Sequence, residues 1–285
     1  MCHFSQFGLD EEKNAQLHGL TPFAALCDIR FPADLQAVFE EVRPEVVIHA
    51  AACKHVPMME RHPLEAARTN VLGTRNVVEA AKAVGVKRLM HVSTDKAVNP
   101  EGVMGASKAW GERVVREAGY SCVRFGNVLG SSGSVMPLFE KQWDRSGTLQ
   151  VTHQDATRYF MTIEEAVLLI LHAESLEEKS ETYVLDMGEP MRILELARQL
   201  VTLKHGDEEA AIEITGLRPG ERIHERLHSE DEVPKETRVP KIRRLENLGT
   251  GEMGNSDAQS LKDTLAELER LVTHRDVDGV REWLM

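Results

Sequence analysis

The sequence has little cysteine, and none of it is paired. The four cysteines among 285 residues stand at positions 2, 27, 53 and 122, without a second cysteine or a histidine at metal-site spacing. The last three lie in or beside apolar, strand-like runs, which is typical of buried free thiols in a reducing compartment. We therefore expect neither a disulfide scaffold nor a resident metal.

Long apolar runs and an excess of positive charge are also missing. No stretch approaches the roughly 18 apolar residues of a membrane span, and the first residues lack the apolar region of a signal peptide. The expected location is the cytoplasm. A formal net charge of −12 argues against a nucleic-acid partner. It does not exclude an anionic substrate, because a few Arg and Lys residues can form a positive pocket on an acidic surface.

What is present is an alternation of short apolar runs with longer amphipathic stretches. Such alternation is typical of an α/β fold with a doubly wound parallel sheet, whose strands are covered on both faces. The predicted strands are 23–27, 46–52, 88–94, 121–125 and 182–185. The predicted helices between them are 32–41, 63–83, 103–117 and 163–173.

The pattern changes near residue 186, which predicts a second, smaller lobe. We assign 1–185 to the sheet domain, 186–245 to a substrate lobe with contributions from 126–165, and 246–285 to a linker and helical tail. In this second half a helix is predicted at 190–203, a strand at 211–215 and a final helix at 258–274. The Gly- and Asn-rich stretch 245–256 is predicted to be a loop.

Three weaker signals precede the main motif. Asp28 follows a predicted strand and could reach an adenine, although Asp caps many helices and turns. The small residues Ala50, Ala51 and Ala52 follow another strand and allow close backbone approach to a cofactor, or simply tight packing. Asn70 is polar within an otherwise apolar helical pattern, so it either satisfies neighbouring backbone or marks a polar pocket.

The most specific signal is the string HVSTDKAVNP followed by VMGASK. A strand delivers Thr94, Asp95 and Lys96 to the edge of the sheet, and a helix then presents Met104 and Lys108 one turn apart on one face. Many oxidoreductases of this architecture carry Tyr-x-x-x-Lys at that spacing, with the Lys on the nicotinamide ribose. Here methionine replaces the tyrosine, and methionine cannot transfer a proton.

STDKAVNP with VMGASK resembles the polysaccharide-biosynthesis branch of the UDP-N-acetylglucosamine 4,6-dehydratases, in the extended short-chain dehydrogenase/reductase superfamily. The runs HAAACKHVPMMERHP, TNVLGTRNVVEAA, VRFGNVLGSSGSVMPLF, DATRYFMTIEEA and GLRPGERIHE agree with it in order over about residues 5 to 230. The resemblance implies a Rossmann-type fold and an NAD(P)-dependent lyase that recycles a tightly bound cofactor. Its larger members, usually membrane-anchored, carry Met in place of Tyr.

The resemblance also implies roles for individual residues. Thr94 would bind the C4 oxygen, Lys96 would be the base at C5, Asp95 the acid at C6, and Lys108 the ribose ligand. Cofactor contacts would come from Asp28, Ile29, Ala50, Ala51, Ala52, Asn70 and Lys108. Contacts to the UDP-sugar would come from Lys54, His55, Asn127, Arg158, Arg218 and Glu221.

The family's opening strand and its glycine-rich Gly-x-x-Gly-x-x-Gly turn are not found before Asp28. We therefore expect an incomplete Rossmann-type sheet, and upstream sequence is one source of the remainder. Two alternatives stay open: a nucleotide-sugar epimerase of the same superfamily, and a catalytically inactive truncated fragment. The expected partners are a UDP-sugar and further copies of the chain in a homo-oligomer.

Overall fold

The computed structural model describes residues 23–176, 180–206, 211–248 and 258–285. The helices are α1 (Pro32–Val42), α2 (Val56–Arg61), α3 (Pro63–Ala66), α4 (Thr74–Val84), α5 (Val103–Glu117), α6 (Val135–Ser146), α7 (Ile163–Glu174), α8 (Ile193–His205), α9 (Ala258–Thr273) and α10 (Val277–Leu284). A π-helical segment, Ala67–Gly73, joins α3 to α4, and one 3-10 turn spans Asp95–Ala97.

The strands are β1 (Val46–His49), β2 (Arg88–Val92), β3 (Ser121–Arg124), β4 (Asn127–Val128), β5 (Thr148–Val151), β6 (Thr157–Arg158), β7 (Phe160–Met161), β8 (Thr182–Leu185), β9 (Met191–Arg192), β10 (Ala211–Ile214), β11 (Glu232–Glu236) and β12 (Ile242–Asn247). The main sheet has the order β1-β2-β3-β8-β12-β11, and its first four strands are parallel. Apolar side chains of β2, β3 and β8 are buried because helices cover both faces. The predicted α/β fold with a doubly wound parallel sheet is confirmed.

The first predicted strand is wrong. Residues 23–27 are extended but pair with no strand, and β1 pairs only with β2 in the part of the chain described. A strand is defined by its hydrogen-bonded neighbour, and no described strand lies beside this segment.

The predicted loop at 245–256 is wrong at its start. Residues 245–247 belong to β12, which pairs antiparallel with β8 and, on its other side, with β11. Residues 249–257 lie outside the described residues. β11 reads EVPKE, with little apolar alternation, so its pairing depends on β12 rather than on a local pattern.

The helix predicted at 63–83 is continuous from 63 to 84 but contains the π-helical turn. The tail helices α9 and α10 pack their leucines and valines against α3, α4 and α5, within the largest apolar core. α10 was missed by the sequence analysis. It begins where the Asp276 side chain accepts a hydrogen bond from the Gly279 N–H.

A separate apolar core lies between α6, α8, β5 and β10. β5 and β10 form a parallel pair, and β4–β7 and β6–β9 form two further short pairs beside them. Segments 126–165 and 186–214 thus meet in one lobe. Because β11 and β12 return to the main sheet, the domain limits at 185 and 245 remain a prediction.

Candidate active site

A cleft opens at the carboxyl ends of β1, β2 and β3, where a parallel sheet brings its strand-following residues together. Its volume is about 360 Å³. The predicted site residues that line it are Ala50, Ala52, Lys54, His55, Thr94, Lys96, Met104, Lys108 and Asn127. The fold therefore gathers nine residues that are separated by up to 77 positions in the sequence.

One wall of the cleft carries Lys96, which is hydrogen-bonded to the buried Asp95. Lys96 Nζ donates to Asp95 Oδ1 at 2.8 Å and to Asn127 Oδ1 at 3.2 Å. The Thr94 hydroxyl donates to the same Asp95 oxygen at 2.9 Å. Glu225 Oε1 lies 3.6 Å from Lys96 Nζ, so two carboxylates face one ammonium.

Asp95 lies behind the cleft wall and is fully buried. Its second oxygen, Oδ2, has no hydrogen-bond partner among the described residues. That oxygen is next to Gly126, a lining residue: a Cβ atom at position 126 would sit 3.3 Å from it. The absence of a side chain there leaves the carboxyl group close to the cleft.

Lys108 forms the opposite wall. Its Nζ donates to the Val92 carbonyl at 2.7 Å and lies 3.1 Å from His91 Nε2. Burial lowers the pKa of Lys108 to about 8, against an opposing effect of Glu112. Met104, one turn earlier on α5, is buried at the cleft surface and offers no exchangeable proton.

Asn70 holds the backbone beside the cleft and does not line it. Its Oδ1 accepts from the Cys53 N–H at 2.7 Å, and its Nδ2 donates to the Cys53 carbonyl at 2.9 Å and to the Ser107 hydroxyl at 2.9 Å. It therefore ties the turn after β1 to α5. Of the two interpretations given for Asn70, the geometry supports the one in which its side chain satisfies neighbouring backbone groups.

The outer end of the cleft is formed by Lys54 and His55. Lys54 Nζ donates to the Ser131 hydroxyl at 3.2 Å, and the His55 ring rests on Gly133, where a Cβ would approach it to 2.5 Å. Burial lowers the pKa of both groups. The serine-rich turn thus closes over the predicted substrate contacts.

Several predicted residues are not brought into the cleft. Asp28 forms an ion pair with Arg30, and the Ile29 side chain packs against Gly73. Ala51 does not line the cleft. Their cofactor roles remain predictions.

Two arginines that were predicted to contact the phosphate or uracil groups bind other parts of the protein instead. The buried Arg158 guanidinium donates to the main-chain carbonyls of Thr157, Arg222 and Ile223. Arg218 is half-exposed and pairs with Glu221 Oε1 through two nitrogens, outside the cleft lining. Arg158 is thus bound to main-chain carbonyls and Arg218 is accessible to a ligand, and the substrate contacts of both remain predictions.

Sequence reasoning missed other contributors. Glu225 is buried between Lys96 and Arg158. Ser131 and Ser134 line the cleft in the run GNVLGSSGSV, whose small residues were the available signal. His91, the first residue of the main motif, carried no signal because a histidine in an apolar strand is usually a core residue.

The nicotinamide half of NAD(P) is compatible with this cleft. Small side chains at Ala50 and Ala52 leave the backbone accessible, and Lys108 lies in the lining with an N–H not used by the protein contacts above. These are the features that a ribose ligand requires. In the described ranges no three His, Cys, Asp or Glu side chains cluster as metal ligands would. Nor does any helix there have the length and apolar character needed to cross a membrane.

The sequence profile of a family described as "Polysaccharide biosynthesis protein" matches residues 3–247. The probable polysaccharide biosynthesis protein EpsC of Bacillus subtilis is 45% identical over 224 residues, 76% of this chain and 38% of that protein. A UDP-N-acetylglucosamine 4,6-dehydratase (inverting) of Campylobacter jejuni is 34% identical, over 72% of this chain and 62% of its own length. A UDP-glucose 4-epimerase of Rickettsia rickettsii is 39% identical, over 66% of this chain and 57% of its own.

Among solved structures, Pen from Bacillus thuringiensis superimposes with a TM-score of 0.74 at 31% identity, covering 85% of this chain and 78% of that one. The chain spans between 38% and 62% of the length of these three curated relatives.

Proposed function

The chain belongs to this polysaccharide biosynthesis protein family, and we propose that it is the catalytic part of an NAD(P)-dependent UDP-N-acetylhexosamine 4,6-dehydratase. The observation that carries the proposal is the Lys96–Asp95 pair, 2.8 Å apart at the edge of the cleft. Such a reaction needs one group to remove a proton at C5 and another to protonate the leaving hydroxyl at C6. The similarity to a C. jejuni dehydratase of that activity supports the same assignment.

The pair supplies both groups through one proton transfer. In the resting state Lys96 is held as an ammonium by Asp95, Asn127 and the nearby Glu225. Passing one proton across the 2.8 Å hydrogen bond leaves an amine on Lys96 and a carboxylic acid on Asp95. The amine then takes the C5 proton while the acid protonates the C6 hydroxyl, which leaves as water. The pair returns to its original charges.

The other residues orient the sugar. Thr94 donates to Asp95 in the described state and would bind the C4 oxygen instead when the sugar is present. NAD(P), when bound, would accept hydride from C4 and return it to C6, so it would be recycled. The return of hydride to C6 also needs one proton at C5, which balances the proton lost from the C4 hydroxyl. Lys108 would hold the ribose of the cofactor. Because Met104 cannot accept the C4 hydroxyl proton, Lys96, Asp95 or a water does so.

The test is Lys96→Met in protein that holds NAD(P), with solvent deuterium entry at C5 as the measurement. Elimination should fall by about 10² or more, the usual scale for a positioned proton-transfer group. Lys87→Met is the matched control, because Lys87 is exposed and its ion pair, among the residues described, is with the exposed Glu45. Exchange at C5 at the wild-type rate in Lys96→Met would refute the assignment. Asp95→Asn should also stall at elimination.

An epimerase is the second candidate, because a relative named as a UDP-glucose 4-epimerase is also similar over two thirds of the chain. It would use the same 4-ketone without losing water. Mass analysis of the product separates the two: the dehydratase product is lighter by one water, whereas an epimer keeps the substrate mass.

A further inference from the structure

The Lys108 ammonium is held by contacts to strand β2 and not by its own helix. A lysine ammonium has three N–H donors. One points to the Val92 carbonyl at 2.7 Å and one to His91 Nε2 at 3.1 Å, both within strand β2. The third is left for the cleft that Lys108 lines. Two fixed contacts on one strand therefore aim the remaining donor at a ligand.

His91 is built into this position. It is fully buried, and its ring lies 4.9 Å from the ring of His49, centroid to centroid. Gly111, inside helix α5, faces it: a Cβ there would lie 2.9 Å from the Asn70 carbonyl oxygen and 3.2 Å from His91 Nε2. Glycine within a helix is unfavourable, so its presence at 111 is explained by the close approach of these groups.

We propose that His91 is a positioning residue for Lys108, accepting one ammonium N–H through Nε2 so that another is directed at the ligand in the cleft. In the enzyme proposed above, on which this step rests, that ligand is the nicotinamide ribose. The hydrogen bond requires a neutral His91 ring with its proton on Nδ1. The Nδ1 atom is buried and has no partner in the described ranges.

The surroundings favour the neutral ring. Burial and the neighbouring Lys108 and His49 lower the pKa of His91 far below its usual value, and burial and Lys108 lower the pKa of His49 to about 3. Both rings are therefore neutral at pH 7. The other titratable groups that act on Lys108 are Glu112, on its own helix, and Cys122, on β3. Glu112 is itself bound by Arg124.

The first test uses the unaltered protein. The two nitrogen shifts of His91 are measured by NMR at pH 7 in protein labelled with ¹⁵N-histidine, and the signals are identified by their loss in His91→Gln. We expect an unprotonated Nε2 and a protonated Nδ1. A protonated Nε2 would overturn the proposal, because that atom could then not accept from the ammonium.

The second test follows Lys108 itself. Its Cε signal in ¹³C-lysine-labelled protein, identified by its loss in Lys108→Arg, should titrate with a midpoint near 8. His91→Leu removes the acceptor and should lower the midpoint by about one pH unit, a tenfold change. His91→Gln offers a carbonyl acceptor and should restore it. Equal midpoints in wild type and a folded His91→Leu would overturn the proposal.

A purely structural role predicts loss of thermal stability in both variants with no change in the Lys108 titration. If His91→Leu does not fold, the tautomer measured in the unaltered protein decides. Neither the nitrogen shifts of His91 nor the titration of Lys108 depends on turnover. These two measurements therefore test the positioning role, and the product analysis above separately tests the dehydratase assignment.

Discussion

Replacing Arg124 with methionine should cost this protein a large part of its stability. Arg124, on β3, donates to both carboxylate oxygens of Glu112 at 2.8 and 2.7 Å, and its remaining nitrogen reaches Glu232 at 2.8 Å. Only 7% of the Arg124 side chain and 2% of the Glu112 side chain are exposed. Ser93, two residues before Asp95, donates to the same Glu112.

The magnitude follows from what the substitution leaves behind. Methionine fills much of the space but leaves the Glu112 carboxylate buried with only Ser93 as a partner. Removing one member of a buried ion pair costs about 3–5 kcal/mol, mainly because a charge is left uncompensated. We expect urea denaturation to show a lower midpoint at an unchanged slope.

Arg198→Met is the matched control. It makes the same chemical change at a half-exposed arginine whose partner, Glu195, lies one turn away at 3.2 Å. The expected cost is below about 0.5 kcal/mol. If Arg124→Met is no less stable than Arg198→Met, the buried network does not hold β3, α5 and β11 together.

The same reasoning predicts a pH dependence. Burial raises the pKa of Glu232, but the ion pair with Arg124 outweighs this and lowers that pKa below its usual value. A group whose pKa is lower in the folded state than in the unfolded state stabilises the fold at any pH above its unfolded-state pKa. That stabilisation is lost as the pH falls through its folded-state pKa. The stability difference between wild type and Arg124→Met should therefore shrink as the pH is lowered below about 4.5.

Three further predictions test contacts of individual side chains. Gly133→Ala should lower the free energy of unfolding by at least about 1 kcal/mol more than Gly130→Ala does. Both glycines have φ near 70°, but only an alanine at 133 would clash with a histidine ring. Thermal unfolding measures the difference, and equal losses of stability would contradict this reasoning. Glu60→Ala should cost about 1 kcal/mol by uncapping the first N–H of α5, with Glu60→Gln milder; equal denaturation midpoints in wild type and Glu60→Ala would contradict the cap. Arg158→Ala should destabilise the fold, whereas Arg218→Ala should keep the melting temperature and weaken UDP binding measured by calorimetry; unchanged UDP affinity in Arg218→Ala would remove it from the site.

The parallel half of the sheet and nine of the nineteen residues that line the cleft could be predicted from the sequence. Strands β1, β2, β3 and β8 are locally apolar, and parallel strands place the residues that follow them at one edge. Thr94, Lys96 and Lys108 therefore meet as their motif predicts. By contrast β11 reads EVPKE and has almost no strand signal, since its pairing partner, not its composition, defines it.

The contacts between distant segments could not be read from the sequence. Glu225 lies 129 positions beyond Lys96 and approaches it only because the loop after β10 folds back over α5. The sequence also could not separate Arg158 from Arg218, because both are arginines in family-like runs. In the structure Arg158 is buried against main-chain carbonyls, whereas Arg218 is exposed to solvent.

The sequence by itself determined the α/β class and the sheet edge at which Thr94, Lys96 and Lys108 stand, because these depend on local periodicity and strand direction. Only the tertiary structure decided which polar groups share a hydrogen bond. His91 pairs with Lys108 where Gly111, three residues later on the same helix, leaves space for the ring. Arg124 pairs with Glu232, on a strand 108 residues later. Such pairs form because buried polar groups must find partners, and packing alone determines which partners are within reach.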